Sequence, residues 1–250
     1  MITIINETSF EKVPLDIKEI IPDVIDIFKS QFGKNILEIR LLGSVPRGEF
    51  IENVSDVDFL CILKSDCNVK KSNIIKEGEK RLSNTLKRYS KIDLDFVSER
   101  YLEKDFGYKL LIETDSICIY GENKYCVNEF KIAGTDLAKL WNPNSINLLS
   151  EYRKRLSETN HIDEIKELSK LIGKDFIKSF RPILMKQNEV FSRSIMKSKI
   201  NLCNLDIANT SLYEKLFELY EHQTSSKSEL FFVLEAVERY IDENKRKIME

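Results

Sequence analysis

The chain has 250 residues, of which 42% are hydrophobic and 32% charged, proportions typical of a globular protein that buries a sizeable core. It carries 39 Lys and Arg against 41 Asp and Glu, so the net charge is −2 and no overall positive field favours nucleic acid. Only two histidines are present, which argues against a histidine metal cage. The five cysteines contain no C-x-x-C pair, so neither a zinc site nor a disulfide framework is expected.

The sequence contains no membrane-spanning pattern. No stretch approaches the run of about 18 uncharged apolar residues that a transmembrane helix needs. The early residues include Glu7, Glu11 and Asp16 without a basic start, so a signal peptide is not expected. These features favour a cytoplasmic protein.

The first 125 residues alternate between helical and strand patterns of apolar residues. In chain order, the predicted elements are a helix over Val13–Phe32, strands over Ile36–Leu42 and Val57–Leu63, a charged helix over Lys70–Tyr89, and strands over Ile92–Val97 and Ser116–Tyr120. Gly33 and Gly121 are the expected stops of the first helix and the last strand. The charged helix is predicted to bury Ile74, Ile75, Leu82 and Leu86.

From about Asn147 the strand patterns disappear and helical spacing takes over. The predicted helices are Ile146–Leu156, Ile162–Val190, Leu212–Tyr220 and Leu230–Ile241. Pro182 predicts a kink or break in the second of them, and Ser226 with Glu229 forms a capping-box pattern before the last. The sequence therefore predicts an α+β domain over residues 1–140 and an all-α helical bundle over 141–250.

The most informative stretch is Leu41–Leu60, with the sequence LLGSVPRGEFIENVSDVDFL. Its first strand runs into Gly43 and Ser44, and a turn containing Pro46 and Arg47 follows. Gly43 lets the backbone approach a phosphate, and Ser44 offers both an N–H and a hydroxyl. Arg47 has the charge to neutralise a triphosphate. A solvent-exposed turn residue is the alternative interpretation of Arg47.

Four aspartates lie on two of the predicted strands. Asp56 and Asp58 are two residues apart, so both carboxylates face the same way, and their mutual repulsion favours a cation between them. Mg²⁺, which prefers oxygen ligands, is the expected cation. Asp93 and Asp95 lie on the strand Ile92–Val97. If this strand neighbours the strand Val57–Leu63, one or both of these aspartates complete a metal cluster that could catalyse phosphoryl displacement. Asp95 alternatively pairs with a lysine.

This arrangement resembles the polymerase-β-like nucleotidyltransferase superfamily, in which a Gly-Ser turn precedes an Asp-x-Asp strand and a further strand with an isolated aspartate. The form GSVPRGEFIENVSDVDF is most similar to the bacterial branch, which holds aminoglycoside, lincosamide and minimal nucleotidyltransferases. The motif match covers about residues 36–98. The helical second half is similar in architecture to the antibiotic-modifying members, where a C-terminal bundle completes the acceptor pocket.

The resemblance implies a mixed-sheet nucleotidyltransferase fold and transfer of a nucleoside monophosphate from an NTP, here ATP, to a hydroxyl, with release of pyrophosphate. It implies that Asp56, Asp58 and Asp93 hold Mg²⁺, as two ions. Asp95 lies on the same face and is either the third ligand or the general base instead. The predicted nucleotide-binding residues are Gly43, Ser44, Arg47 and Ser55, and the predicted catalytic residues are Asp56, Asp58, Asp93 and Asp95.

The identity of the acceptor stays open between three hypotheses. The first is a small hydroxyl compound such as an antibiotic. Residues from Asn147 onward include 18 basic and 17 acidic side chains, which gives no bulk acidic field for a polycation and favours an uncharged or weakly basic acceptor. The second is a partner protein or tRNA, as in toxin–antitoxin systems, and the third is a non-catalytic nucleotide-binding module. No membrane or other nucleic-acid partner is expected, and the protein is predicted to be a monomer or homodimer.

Overall fold

The computed structural model describes residues 1–65, 72–141, 145–185 and 189–244. The chain divides into two compact units, one formed by Ile4–Phe130 and the other by Met1–Thr3 with Lys131–Glu250. The strands are β1 (Ile2–Ile5), β2 (Ile36–Leu42), β3 (Val57–Leu63), β4 (Ile92–Ser98), β5 (Ser116–Gly121), β6 (Glu129–Ile132) and β7 (Val190–Phe191). The helices are α1 (Leu15–Phe32), α2 (Ser44–Arg47), α3 (Asn73–Thr85), α4 (Glu99–Lys104), α5 (Phe106–Thr114), α6 (Gly134–Trp141), α7 (Ser145–Glu158), α8 (Ile162–Ile183), α9 (Ile195–Leu205), α10 (Thr210–His222) and α11 (Lys227–Glu243).

The unit formed by residues 4–130 is built on a four-stranded mixed sheet with the order β4-β3-β2-β5. Strand β2 is antiparallel to both of its neighbours, whereas β3 and β4 run parallel. The expectation that the strand carrying Asp93 lies beside the strand carrying Asp58 is therefore confirmed. The mixed sheet with its helices is the predicted nucleotidyltransferase fold.

Alternation along the strands gives the sheet one fully apolar face. Phe59 and Cys61 of β3 and Leu94 of β4 are buried on this face, in a core with α1 and α3. The side chains at the intervening positions, among them Asp58 and Asp93, are on the opposite face. The opposite face carries a second apolar cluster further along the strands, with Leu60 and Ile62 of β3, so the acids are at the edge of that face where the two strands begin.

Helices α1 and α3 pack closely at a glycine. A Cβ added at Gly78 of α3 would lie 2.8 Å from Cδ1 of Ile27 in α1, so a larger residue would require the Ile27 side chain to shift. The contact fixes the buried face of α3 at Ile75, Gly78 and Leu82. Ile74 was predicted on that face but is 48% exposed, because it lies about 100° around the helix from Ile75. The predicted helix start at Lys70 lies outside the described residues, and the helix ends at Thr85.

The unit that contains residues 131–250 is dominated by helices. Helix α8 packs against α7, α9, α10 and α11, with Phe176 and Phe180 fully buried. A Cβ on Gly173 would lie 2.2 Å from the carbonyl oxygen of Leu216, so this glycine sets the close approach of α8 and α10. The predicted cap of the last helix is confirmed, since the Ser226 hydroxyl accepts a hydrogen bond from the Glu229 amide. No helix among the described residues combines the length and the apolar character needed to cross a membrane.

Three sequence predictions for this region are corrected. The helix predicted to reach Val190 ends at Ile183, one residue after Pro182, where the sequence predicted a kink or break. Helices α6 and α9 were not predicted. Strand pairing also continues past Asn147, since the two-residue strand β7 joins a sheet of order β6-β1-β7; a strand this short leaves no periodic signal.

Candidate active site

The loop that follows β2 brings backbone next to a carboxylate. Gly43 has a φ of 81° and its N–H donates to the carbonyl of Asp115 at 3.0 Å. A Cβ added at this glycine would lie 3.6 Å from Oδ2 of Asp58. Leu42, the last residue of β2, is paired with Asp58 across the sheet, which explains the approach. A glycine at position 43 therefore keeps open the space between loop and carboxylate.

Three of the predicted carboxylates gather where β3 and β4 begin. Asp58 and Asp93 are register partners on these parallel strands, so their side chains are on the same face, about 5 Å apart at the backbone. Asp56 lies two residues before Asp58, just ahead of the strand. Its Oδ1 accepts a hydrogen bond from the hydroxyl of Ser90, which precedes β4.

A lysine lies among these carboxylates. The Nζ of Lys91 is 2.7 Å from Oδ2 of Asp93. Burial lowers the pKa of Lys91, but the hydrogen bond to Asp93 and the negative charges of Asp93, Asp56 and Asp58 outweigh it and raise the pKa above its ordinary value. One ammonium thus experiences the charge of all three predicted metal ligands.

The predicted ligands fit a divalent cation by chemistry and by register. They supply carboxylate oxygens, the donors that Mg²⁺ prefers, from positions that are side by side on two strands. Among the described residues, however, no three Asp, Glu, His or Cys side chains are already converged on one metal position. Asp93 contacts Lys91 and Asp56 contacts Ser90, so each of these carboxylates faces a protein donor.

Asp95 is at the next position of β4 that shares the face of Asp93. Asp95 is exposed, and its register partner is Leu60, two residues after Asp58 on β3. Tyr108, in α5, lies near Asp95 and Asp58. Burial, the charge of Asp95 and, more weakly, the charge of Asp58 raise the pKa of the Tyr108 phenol to about 12. Tyr101 of α4 meets Tyr108 edge to face, with ring centroids 6.3 Å apart. An aromatic pair therefore lies beside the carboxylates.

Arg47 ends the short helix α2 and is held by two acids. Its guanidinium donates to Asp115 and, at 3.0 Å, to Oε2 of Glu49, and its side chain is only 8% exposed. Burial lowers the pKa of Arg47, but the charges and hydrogen bonds of Asp115 and Glu49 raise it overall, so the guanidinium stays charged. The alternative of a solvent-exposed turn residue is therefore wrong.

Ser55 and Ser44 take part in backbone connections around the loop. The Ser55 hydroxyl accepts from the amide of Ile51 at 2.8 Å, and its carbonyl accepts from the amide of Ser90 at 3.0 Å. Ser44 is half-buried, and its carbonyl accepts from the amide of Glu49 at 2.9 Å. Ser55 thus joins the segments that precede β3 and β4.

Sequence reasoning missed several residues of this site, among them Ser90, Lys91 and Tyr108. A signal for Lys91 was present, since it lies two residues before Asp93 and alternation places both on one face. Nothing in the sequence pointed to Tyr108, because its approach to Asp95 depends on how α5 packs after β4.

One comparison with known proteins identifies the family of the chain. The sequence model of the nucleotidyltransferase domain family matches residues 21–201, which is most of the chain. The chain therefore belongs to the nucleotidyltransferase domain family and is a nucleotidyltransferase. A search of the curated proteins finds no match.

Among solved structures, the chain is similar to a crystal structure of spectinomycin adenyltransferase AAD(9) from Enterococcus faecialis with ATP and spectinomycin. The sequences are 11% identical, the match covers 88% of this chain and 99% of that chain, and the TM-score is 0.48.

Proposed function

We propose that the protein is a Mg²⁺-dependent nucleotidyltransferase that transfers AMP from ATP to a hydroxyl of a small molecule and releases pyrophosphate. The observation that carries the proposal is the register of Asp58 with Asp93 on adjacent parallel strands, with Asp56 two residues earlier. Like charges this close destabilise one another, and a divalent ion would offset more of that repulsion than the ammonium of Lys91 does.

Asp56, Asp58 and Asp93 are the residues that would hold the metal, as two ions. The register supports Asp93 rather than Asp95 as the third ligand, because Asp93 is level with Asp58 whereas Asp95 is level with Leu60. Bound divalent metal supplies positive charge to the triphosphate and favours ionisation of the attacking hydroxyl.

The loop after β2 provides the nucleotide-binding part of the site. The positive φ of Gly43 and its missing side chain allow phosphate oxygens to approach the backbone beside Asp58. Ser44 offers a hydroxyl and an N–H to the β- and γ-phosphates. Arg47, paired with Asp115 and Glu49, anchors this end of the loop. Ser55 supports the segment that presents Asp56.

The reaction is an in-line displacement at the α-phosphorus. The acceptor oxygen forms a bond to phosphorus, and the bond from phosphorus to the bridging oxygen of pyrophosphate breaks. The proton of the acceptor hydroxyl passes to a carboxylate, for which Asp95 is the candidate, since it is exposed and one step beyond the metal ligands. Positioning and charge neutralisation supply most of the rate in this chemistry.

Two observations support a small, weakly charged acceptor. The aromatic pair Tyr101 and Tyr108 lies beside Asp95, where it offers apolar ring surface next to the proposed base. The near balance of 18 basic and 17 acidic residues from Asn147 onward gives no bulk field that would favour a polycation.

The test is label transfer from ATP in a cell extract with Mg²⁺. Two parallel reactions use ATP labelled at the α-phosphorus and ATP labelled at the γ-phosphorus, and the products are separated into small-molecule and macromolecular fractions. Nucleotidyl transfer moves the α-label into an acceptor and leaves the γ-label in pyrophosphate, whereas a kinase would transfer the γ-label. The variant Asp58→Asn is the matched inactive control.

Each outcome decides between the hypotheses. The α-label in a new small compound, absent with Asp58→Asn, supports the proposal and identifies the acceptor by its mass. The α-label on protein or RNA overturns the small-molecule acceptor. No Mg²⁺-dependent transfer of the α-label with any of the four nucleoside triphosphates contradicts an active enzyme.

A further inference from the structure

Lys91 is positioned by the backbone as well as by its ammonium contact. Its carbonyl accepts the amide of Val57 at 3.0 Å, which aligns the starts of β3 and β4. The side chain then extends to Asp93, with 2.7 Å between Nζ and Oδ2, and remains 53% exposed. The lysine therefore has a defined contact at its tip and open solvent beside it.

The ammonium of Lys91 is attracted by several carboxylates. Asp93 contacts it directly, and Asp56 and Asp58 also act on it electrostatically. The ammonium relieves part of their repulsion when no other cation is present. A divalent ion supplies twice that charge and accepts several oxygen ligands, so it competes with the ammonium for the same oxygens.

We propose that Lys91 is a built-in counter-cation of the carboxylate cluster, which stabilises the metal-free protein and must be displaced from Asp93 when a divalent metal binds. This inference rests on the proposed function. The exposed half of the side chain gives the displaced ammonium a path to solvent. The consequence is that Lys91 weakens the binding of a divalent metal to these carboxylates.

The experiment measures binding of Mn²⁺ alone to the full chain, by the loss of the free-ion signal in electron paramagnetic resonance. Lys91→Met removes the charge and keeps most of the apolar stem. Lys34→Met is the matched control, since Lys34 is exposed and lies just before β2. Leu42, which pairs with Asp58, is at the other end of that strand, so Lys34 is far from the carboxylates. Lys91→Arg keeps a cation at the same position.

We expect Lys91→Met to bind Mn²⁺ about three- to tenfold more tightly than wild type, because one repelling charge is gone. Lys34→Met and Lys91→Arg should stay within about twofold of wild type. The difference between Lys91→Met and wild type should shrink as the salt concentration rises. Thermal unfolding provides a second readout: without metal, Lys91→Met should melt at a lower temperature than Lys34→Met, and added Mn²⁺ should raise its melting temperature by more.

A merely structural role for Lys91 would leave metal affinity unchanged or weaken it, so equal or weaker Mn²⁺ binding by Lys91→Met overturns the inference. If the wild type transfers the α-label with Mg²⁺ but Lys91→Met binds Mn²⁺ no more tightly, only the role of Lys91 is wrong. If neither protein binds Mn²⁺ anywhere in the millimolar range, the metal assignment fails, and the role of Lys91 fails with it.

Discussion

Asp58 and Asp93 are paired positions on adjacent parallel strands, although 34 residues separate them in the chain. The crossover from β3 to β4 runs through α3, which packs on the apolar face of the sheet. This packing leaves the other face open at the point where the two acids meet. The proximity of the carboxylates is therefore a product of the topology, and the function depends on it.

The first prediction concerns Asp58. We expect Asp58→Asn to lower the rate of nucleotidyl transfer on the order of a hundredfold or more, because one of the proposed metal ligands is lost. The free energy of unfolding without metal should change by less than about 1 kcal/mol, since the substitution also removes a repelling charge. Transfer of the α-label and urea denaturation measure the two effects. Asp26→Asn, an exposed position on α1, is the control and should change neither.

A variant of Asp58 that retains full Mg²⁺-dependent transfer would refute the metal assignment. The same pair of measurements on Asp56→Asn and Asp93→Asn shows whether the three acids act as one unit.

The second prediction concerns the two glycines that flank α2. Gly43 and Gly48 both have positive φ, at 81° and 72°, so alanine is strained at either position. The expected cost is about 1–2 kcal/mol of unfolding free energy at position 48, which is in the αL region, and more at position 43, whose ψ of −143° favours glycine alone. Only the Cβ at position 43 would face Asp58; at position 48 it would lie 3.3 Å from Cβ of Lys12. We therefore expect Gly43→Ala, but not Gly48→Ala, to weaken Mn²⁺ and ATP binding. Isothermal titration calorimetry of both folded variants measures their affinities for Mn²⁺ and ATP. Equal affinities of the two variants would contradict the prediction.

The third prediction concerns Arg47. Arg47→Met leaves Asp115, which is 6% exposed, without its guanidinium partner and should destabilise the protein by about 3 kcal/mol. Arg81→Met is the matched control, because Arg81 pairs with Asp23 at the surface with its side chain 63% exposed, and should cost less than about 1 kcal/mol. Urea denaturation measures both, and similar losses would contradict a buried ion pair.

Much of the sheet could be predicted from local patterns. The apolar runs give the bounds of β2 and β3 as the structure has them, and β4 extends one residue beyond its predicted end. Such agreement is expected where a strand is buried on one or both faces, because burial imposes the pattern on every residue. Helix α9 has a weakly segregated pattern, and β7 has two residues, so neither produced a signal.

The site was less predictable than the fold. The spacing of Asp56 and Asp58 and the isolated Asp93 were enough to suggest which acids meet. The environment of Arg47 was not, since its partner Asp115 is 68 residues away, and only the closure of β5 beside β2 brings it near. Long-range pairs of this kind depend on tertiary packing, which local sequence patterns do not encode.

The last prediction is a pH dependence that originates at Tyr108. Burial, first, and then the charges near its phenol raise the folded-state pKa of Tyr108 from 10.0 to about 12. The stability that this group contributes is fully present below pH 10 and is lost as pH rises toward 12, because the unfolded chain releases the proton first. As pH rises from 10 to 12, the free energy of unfolding should therefore fall more for the wild type than for Tyr108→Phe. The expected difference is about 1 kcal/mol, because the phenol is partly exposed to solvent.

Urea denaturation at a series of pH values between about 9 and 12 tests this dependence. Tyr120→Phe is the control, because Tyr120 lies on the edge strand β5 with its side chain 39% exposed, and it should follow the wild-type curve. Asp95→Asn removes one of the charges that acts on Tyr108, so its curve should fall between those of wild type and Tyr108→Phe. If Tyr108→Phe instead follows the wild-type curve, the phenol is not held beside these carboxylates. The aromatic pair Tyr101 and Tyr108 would then lose its support as an apolar surface next to Asp95.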